Sequence, residues 1–409
     1  MSEPVAVLAP EPVRPRMAGM GIRALELARA LASEFPVRLL VPNDPAEARE
    51  VAGGLEVVRA ANASLAAAAR GVRAAIVSGH AANWWFHQVP GVPVACDLYD
   101  PYPVENLHYA ALLGEATARH DRESLALALA RADFFLCASP EQRLFYAGAL
   151  FGAGRIGGEN FPNDPSLAGL LAVVPFGVPE TPARGDRARG RSALGVPDSG
   201  PLVFFGGIYD WYDPEPLLAA WPALARDNAE ARLLFFENPN PESTPQQAFD
   251  RARRRARQID PEGRSILFSA WQPYAARADL YAAADVAVSI ASPGLETELA
   301  YRTRVLDAAW GGLPSVAVGG GVLARELAGA GGAVECGPDP EDLARAVGGL
   351  LRDEPARRRA AEAARAFAAR RTWSAVTAPL REWCRAPRVD PQRRPAPGPV
   401  SRRRRFFRS

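Results

Sequence analysis

What most limits the fold of this chain is an alternation: short apolar runs trade places with longer stretches whose apolar residues recur at helical spacing, and the whole series is met twice. The first series has apolar runs at 4–9, 37–41, 74–78, 92–98, 133–138 and 171–175, with helical patterns between them. A second series restarts at 201–207 and continues through 231–236, 265–268, 285–290 and a run from Ser315. Runs too short for helices, each followed by a helix, predict parallel strands buried on both faces. The expected class is therefore α/β, as two doubly wound, mostly parallel sheets. Between the series, the stretch from Pro179 is dense in Pro, Gly and charge, which predicts a linker over 179–198. The expected organisation is a first domain over 1–178, a second over 199–371, a further helix over 372–386 and a disordered basic tail over 387–409, too poor in apolar surface to offset ordering entropy.

Open α/β sheets take ligands at the carboxyl ends of their strands. After the run at 285–290 comes a loop and helix that put charge there: Glu296, Glu298, Arg302, Arg304 and Asp307, before a Gly312-Leu313-Pro314 turn into the next run. Carboxylates accept sugar hydroxyls and guanidinium forks grip phosphates, so the combination suggests a sugar nucleotide.

These residues also carry a resemblance. Glu296-Thr297, then Tyr301 to Asp307, Trp310 and Gly312-Leu313-Pro314 resemble the donor-binding segment of family 4 glycosyltransferases, retaining enzymes of GT-B fold built from two Rossmann-like domains. The family pattern is two glutamates separated by seven residues, the second gripping the ribose; this chain has Asp307 at the second place and Leu299 at the first. The resemblance implies that Asp307 holds ribose hydroxyls and that Glu296 or Glu298 meets the sugar; Arg302, Thr303 and Arg304, in the same segment, are the residues expected beside the pyrophosphate. It also implies a last helix that crosses back to brace the first domain.

Two glycine turns follow the first strand of each series. Gly19 and Gly21 open a helix, where backbone amides approach an anion or simply make a tight turn. Gly206 and Gly207 occupy the equivalent place in the second half, and the resemblance puts both turns at the donor phosphates. Relatives continue the second turn with an arginine and a lysine; this chain reads Gly207-Ile208-Tyr209-Asp210-Trp211 instead, and Arg302 and Arg304 are the expected substitutes. In the first half, counting to a fourth strand places Tyr99 and Asp100 where relatives carry a histidine-aspartate pair. His80, two residues past the run at 74–78, is the histidine best placed at a cleft edge. Tyr99, Asp100, His80, Glu296 and Glu298 are thus the candidate catalytic residues. Asp210 and Asp213 read equally well as helix caps.

Composition removes other classes. Formal charges nearly cancel at +2, which argues against a dedicated nucleic-acid binder. No lysine occurs in the sequence, so any phosphate gripped by a cationic side chain is gripped by Arg or His. The four cysteines, at 96, 137, 336 and 384, lack paired spacing and predict neither a metal site nor a disulfide framework. No secretory leader pattern or apolar run of about 18 residues is present, so a cytoplasmic protein is expected. The arginines and phenylalanines at 402–407 suit an anionic membrane surface or a solvated appendage. The expected activity is transfer of a sugar from a nucleotide-diphosphate sugar to a glycan or lipid-linked acceptor, with no other cofactor. The alternatives are a sugar-nucleotide epimerase of the same fold and a silent sugar-nucleotide-binding homologue.

Overall fold

The structure, a computed structural model, describes residues 3–241 and 244–394. In the first half, strands β1 (Val5–Leu8), β2 (Val37–Val41), β3 (Glu56–Arg59), β4 (Ala74–Ser78), β5 (Val94–Asp97), β6 (Phe134–Cys137) and β7 (Leu171–Val173) form one sheet in the order β3-β2-β1-β4-β5-β6-β7. In the second, β8 (Leu202–Gly207), β9 (Arg232–Phe236), β10 (Ile266–Ser269), β11 (Val286–Ile290), β12 (Ser315–Val318) and β13 (Ala333–Glu335) form another in the order β10-β9-β8-β11-β12-β13. The ladders are parallel, with registers such as Val5 beside Val37, Val7 beside Ile76 and Ala287 beside Ser315. Every residue of β1, β4, β5, β6, β8, β11 and β12 is buried, as helices on both faces require.

Strand order reverses between β1 and β4 in the first sheet and between β8 and β11 in the second. Helices that leave on opposite faces at such a point open a crevice at the carboxyl ends. A register break between Phe204 and Gly206 bends the end of β8 there, and Gly206 adopts φ +87°, a backbone angle that side chains disfavour.

The two crevices face each other across close contacts. Gln142 Nε2 donates to the carbonyls of Tyr99 and Leu299, each at 2.8 Å, and the Tyr99 hydroxyl donates to Tyr301 O at 3.2 Å. Apolar packing is continuous across the join, running from Val5 and Leu25 to Tyr301, Leu306 and Phe367.

Three expectations change. The edge strands β3 and β13 carry no apolar run, because each leaves residues exposed, so Tyr99 and Asp100 follow the fifth strand and not the fourth. The predicted linker contains a helix, Arg187–Leu194, whose Asp186 side chain accepts from Arg189 N and whose Arg191 is buried, donating to Pro197 O, Ser199 O and Gly200 O. Its charge density belongs to packing against the second domain. Finally, 387–394 is held in place: Arg155 pairs with Asp390 at 2.5 Å and Arg393 with Asp133 at 2.7 Å, on the first domain. The basic run at 402–407 lies outside the described residues. Before that segment, the helix Ala378–Arg385 packs on the first sheet, with Trp383 stacked on Phe134 at 5.6 Å and Arg385 paired with Glu34.

Candidate functional site

On the second-domain wall, the loop and helix after β11 sort their charges sharply. Glu296 and Arg302 are 2 % and 5 % exposed and form a bidentate pair at 2.7 and 2.5 Å. Glu298 points outward and reaches only Arg325 at 3.4 Å. Sequence spacing offered both glutamates for the sugar, and Arg302 for phosphate; the structure gives Glu296 and the two terminal nitrogens of Arg302 to each other. Arg304 is placed differently. Its terminal nitrogens donate to Phe205 O at 3.0 Å and Gly207 O at 2.6 Å, directly under the glycine turn, while its guanidinium lies 3.6 Å from the Tyr212 ring centre.

Thr303 opens the helix Thr303–Gly311, and the N-cap residue Arg302 supplies no side-chain cap. The first amides of that helix therefore lack the partner a Ser or Asp would give. Asp307 lies on the same helix, one turn beyond Arg304. Burial pushes its carboxyl up to about 6, against the pull of Arg277 at 3.8 Å, and Glu26 of the first domain pushes the same way as burial. Arg277 is itself layered between Tyr274 and Trp310, at 3.7 and 4.6 Å. Tyr209 and Trp211 stack at 5.0 Å after the glycine turn, and Tyr109 of the first domain meets the Trp211 edge at 5.9 Å. Asp213 caps the helix Glu215–Asp227 through Glu215 N, whereas Asp210 accepts from Ala248 N and so serves the helix Gln247–Ile259.

On the first-domain wall, Tyr99 is buried beneath Arg23, whose guanidinium lies 4.4 Å from its ring, and Arg23 grips Asp97 at 2.6 and 2.9 Å. Asp100 is not gripped by a cation. It shares a hydrogen bond with Glu105, one turn on, and both carboxyls are raised: Asp100 by burial, and Glu105 by burial and then the charge of Asp100. Burial lowers the basicity of His80, while Asp121 at 3.0 Å opposes that. The contact to Asp121 is a charge contact, since both Asp121 Oδ1 and His80 Nδ1 are buried without a hydrogen-bond partner. His120 stacks on the imidazole at 4.9 Å and Tyr102 tilts against it at 4.8 Å.

Sequence reasoning missed Glu105, Arg277 and Glu11. Glu11, between β1 and the helix Gly19–Ala32, bonds to the Gly21 amide and is raised to about 7 by burial and then by Asp100. The only sequence signal for Glu11 is its place just before the glycine turn; Glu105 and Arg277 have none beyond lying in loop-rich stretches. The structure thus brings Glu11 together with Gly21 and Asp100, and Arg304 together with Gly206 and Gly207, and leaves Glu298 apart from them. Among the described residues, no cluster of three or more His, Cys, Asp or Glu is arranged to hold a metal, and no helix is long and apolar enough to cross a membrane.

No protein-family model matches the sequence, and no curated protein matches it by sequence. Solved structures do match. A sucrose-phosphate synthase from Thermosynechococcus elongatus superposes with TM-score 0.64 at 18% identity, covering 94% of this chain and 98% of its own. HepE of Anabaena, solved with UDP-glucose, gives TM-score 0.68 at 17% identity over 94% of this chain and 99% of its own. A putative UDP-N-acetylglucosamine 2-epimerase from Listeria monocytogenes gives 0.54 at 15% identity, over 93% and 97%. The chain has the GT-B fold, two Rossmann-like parallel-sheet domains facing a cleft.

Proposed function

We propose that this protein is a glycosyltransferase that moves a sugar from a nucleotide-diphosphate sugar to an acceptor hydroxyl, with retention, in bacterial glycan or glycoconjugate synthesis. The observation that carries the reading is the placement of Arg304 and Asp307 one turn apart on the helix Thr303–Gly311, at the mouth of the second sheet's crevice. A diphosphate at the uncapped start of that helix meets backbone N–H groups and the Arg304 cation under the glycine turn, and a ribose one turn on meets a carboxylate. The pyrophosphate role thereby falls to Arg304 with Thr303, Gly206 and Gly207, and Arg302 holds Glu296 in shape.

In the reaction, the bond from the anomeric carbon to the diphosphate oxygen breaks as a bond to the acceptor oxygen forms, and the acceptor proton must leave. The donor's departing charge is stabilised by Arg304 and the amides at Thr303 and Gly19. Asp100 supplies the proton acceptor on the other wall, with His80 as the second candidate, and a glycan or lipid-linked acceptor is positioned there. Thermal stabilisation across a panel of nucleotide sugars, followed by acceptor-dependent release of nucleoside diphosphate, tests the reading. No stabilisation by any nucleotide sugar would remove it.

One observation favours a second reading. An epimerase of this fold would need an acid and a base flanking the sugar, the raised Asp100 and Glu105 carboxyls are candidates for one of the two, and the epimerase likeness is of the same kind as the transferase ones. Interconversion of one nucleotide sugar into another without acceptor would choose it.

A further inference from the structure

Glu11 occupies an unusual place. Its carboxyl sits at the start of the 14-residue helix Gly19–Ala32, where glycine amides stand ready for an anion, and the N-cap residue Ala18 offers no side-chain cap. The turn is closed tightly: a Cβ added at Gly21 would stand 2.8 Å from Pro12 O. The loop holding Glu11 is also fastened to the opposite domain, through Arg14 to Asn240 at 2.8 Å, Tyr274 N to Pro15 O at 2.8 Å and Trp271 to Met17 O at 3.2 Å. Glu11 therefore lies between the two glycine turns. The titratable groups acting with it are Asp100 after β5 and Tyr209 after β8, both acidic, and no cation partners it.

Its Oε2 is shielded from water and has no hydrogen-bond partner. A buried polar atom without a partner forfeits its hydration, so its retention there implies that something bound completes it. A carboxylate can only accept, and beside a diphosphate it repels; a neutral carboxyl has one O–H to donate.

We propose that Glu11 is a proton-carrying ligand for the diphosphate of the nucleotide sugar, donating Oε2–H to a phosphate oxygen while the Gly21 amide stays bound to the carboxyl. This rests on the nucleotide-sugar reading above. With burial and Asp100 holding the free carboxyl near 7, a protein at pH 8 is mostly ionised there and must take up a proton to bind. Affinity then falls as pH rises through 7, approaching tenfold per unit.

The test is calorimetric titration of the full chain with UDP-glucose, and with a guanosine diphosphate sugar as second probe, at pH 6 and pH 8 in buffers of different ionisation heat. Both probes carry only phosphodiesters, which do not titrate in this range. The expected result is uptake approaching one proton per site at pH 8 and little at pH 6. Glu11→Gln, which donates without titrating, should abolish the uptake and bind roughly tenfold tighter than the parent at pH 8. Asp100→Asn, which removes the neighbouring negative charge, should move the midpoint to lower pH, and serves if Glu11→Gln does not fold. Binding without proton uptake overturns the inference and leaves the nucleotide-sugar reading standing, as does uptake that persists in Glu11→Gln or a midpoint unmoved in Asp100→Asn. Failure of both probes to bind overturns the reading and the inference together.

Discussion

Replacing Glu296 by glutamine keeps the side chain's shape and deletes its charge, which isolates what the buried pair contributes. Arg302 is only 5 % exposed, its Nε has no partner, and Glu296 is its bidentate counter-charge at 2.7 and 2.5 Å. Glu105 also faces it, but burial and then the charge of Asp100 raise its carboxyl well above the ordinary carboxylate range, which makes it a weaker counter-charge than Glu296. The variant thus strands a buried guanidinium with the Tyr212 ring at 4.8 Å as its remaining electron-rich neighbour. Removing one partner of such a pair costs about 3–5 kcal/mol, and the glutamine carbonyl recovers about 1 kcal/mol as one hydrogen bond. The net loss should be roughly 2–4 kcal/mol, or a fall in melting temperature of roughly 4–16 °C for domains of this size. Urea unfolding followed by tryptophan fluorescence measures it, since Trp211, Trp221 and Trp271 all lie in the affected domain. Removing both charges, as Glu296→Gln with Arg302→Met, should recover a large part of the loss. A single variant within about 0.5 kcal/mol of the parent, with no recovery in the double, would refute the view that Arg302 belongs to the fold and would return it to the list of phosphate ligands.

Asp307→Asn should weaken a ribonucleotide diphosphate more than its 2′-deoxy analogue, by titration calorimetry; equal losses would assign Asp307 to the helix alone. The same variant has a stability signature. A carboxyl whose folded value is raised from 3.8 to about 6 contributes stability below 3.8 that is lost as pH climbs through 6, so the parent should lose about 2–3 kcal/mol across that window and Asp307→Asn should not. Arg304→Ala removes a cation from beneath the glycine turn and should weaken nucleoside diphosphate binding by about 2–4 kcal/mol, with unchanged affinity counting against the phosphate assignment. Deleting 395–409 should leave the melting temperature unchanged, whereas deleting 387–409 strands the buried Arg155 and should cost about 3–5 kcal/mol; equal melting curves for the two would deny the packed segment a role. Co-sedimentation of the full chain with anionic vesicles at low and high salt then reports on the basic run itself, and absence of binding at low salt would leave it a solvated appendage.

The sheets were legible wherever burial is two-sided. β4, β6 and β11 announce themselves as apolar runs because no residue in them meets water. β3 and β13 escape notice for the converse reason: as edges they need only one partner and half a face. Charge misleads in the same manner at Arg187–Leu194, where arginines that resemble linker residues are bonded to carbonyls and to Asp279 and Asp285. In the cleft, Arg304 and Asp307 could be placed by spacing because one helix carries both. Arg302 could not be told from Arg304, since the pairing that separates them depends on the turn between Glu296 and Thr303. Glu11, Glu105 and Arg277 lie in segments that only the meeting of two domains brings together, and no local pattern in a chain records such a meeting.

The return of residues 373–394 to the first sheet sets an order on biosynthesis. Trp373 against Phe176, Trp383 against Phe134 and Arg393 against Asp133 complete a domain whose first strand left the ribosome hundreds of residues earlier. The second domain, whose strands and helices run from Arg187 to Ala369, is contiguous and can finish while translation proceeds. The first cannot. Until residues 373–394 have been made, its Phe134 and Phe176 surface stays uncovered, so chains truncated before them should be recognised by chaperones and proteases, and an isolated 1–178 fragment should be far less soluble than an isolated 187–370 fragment.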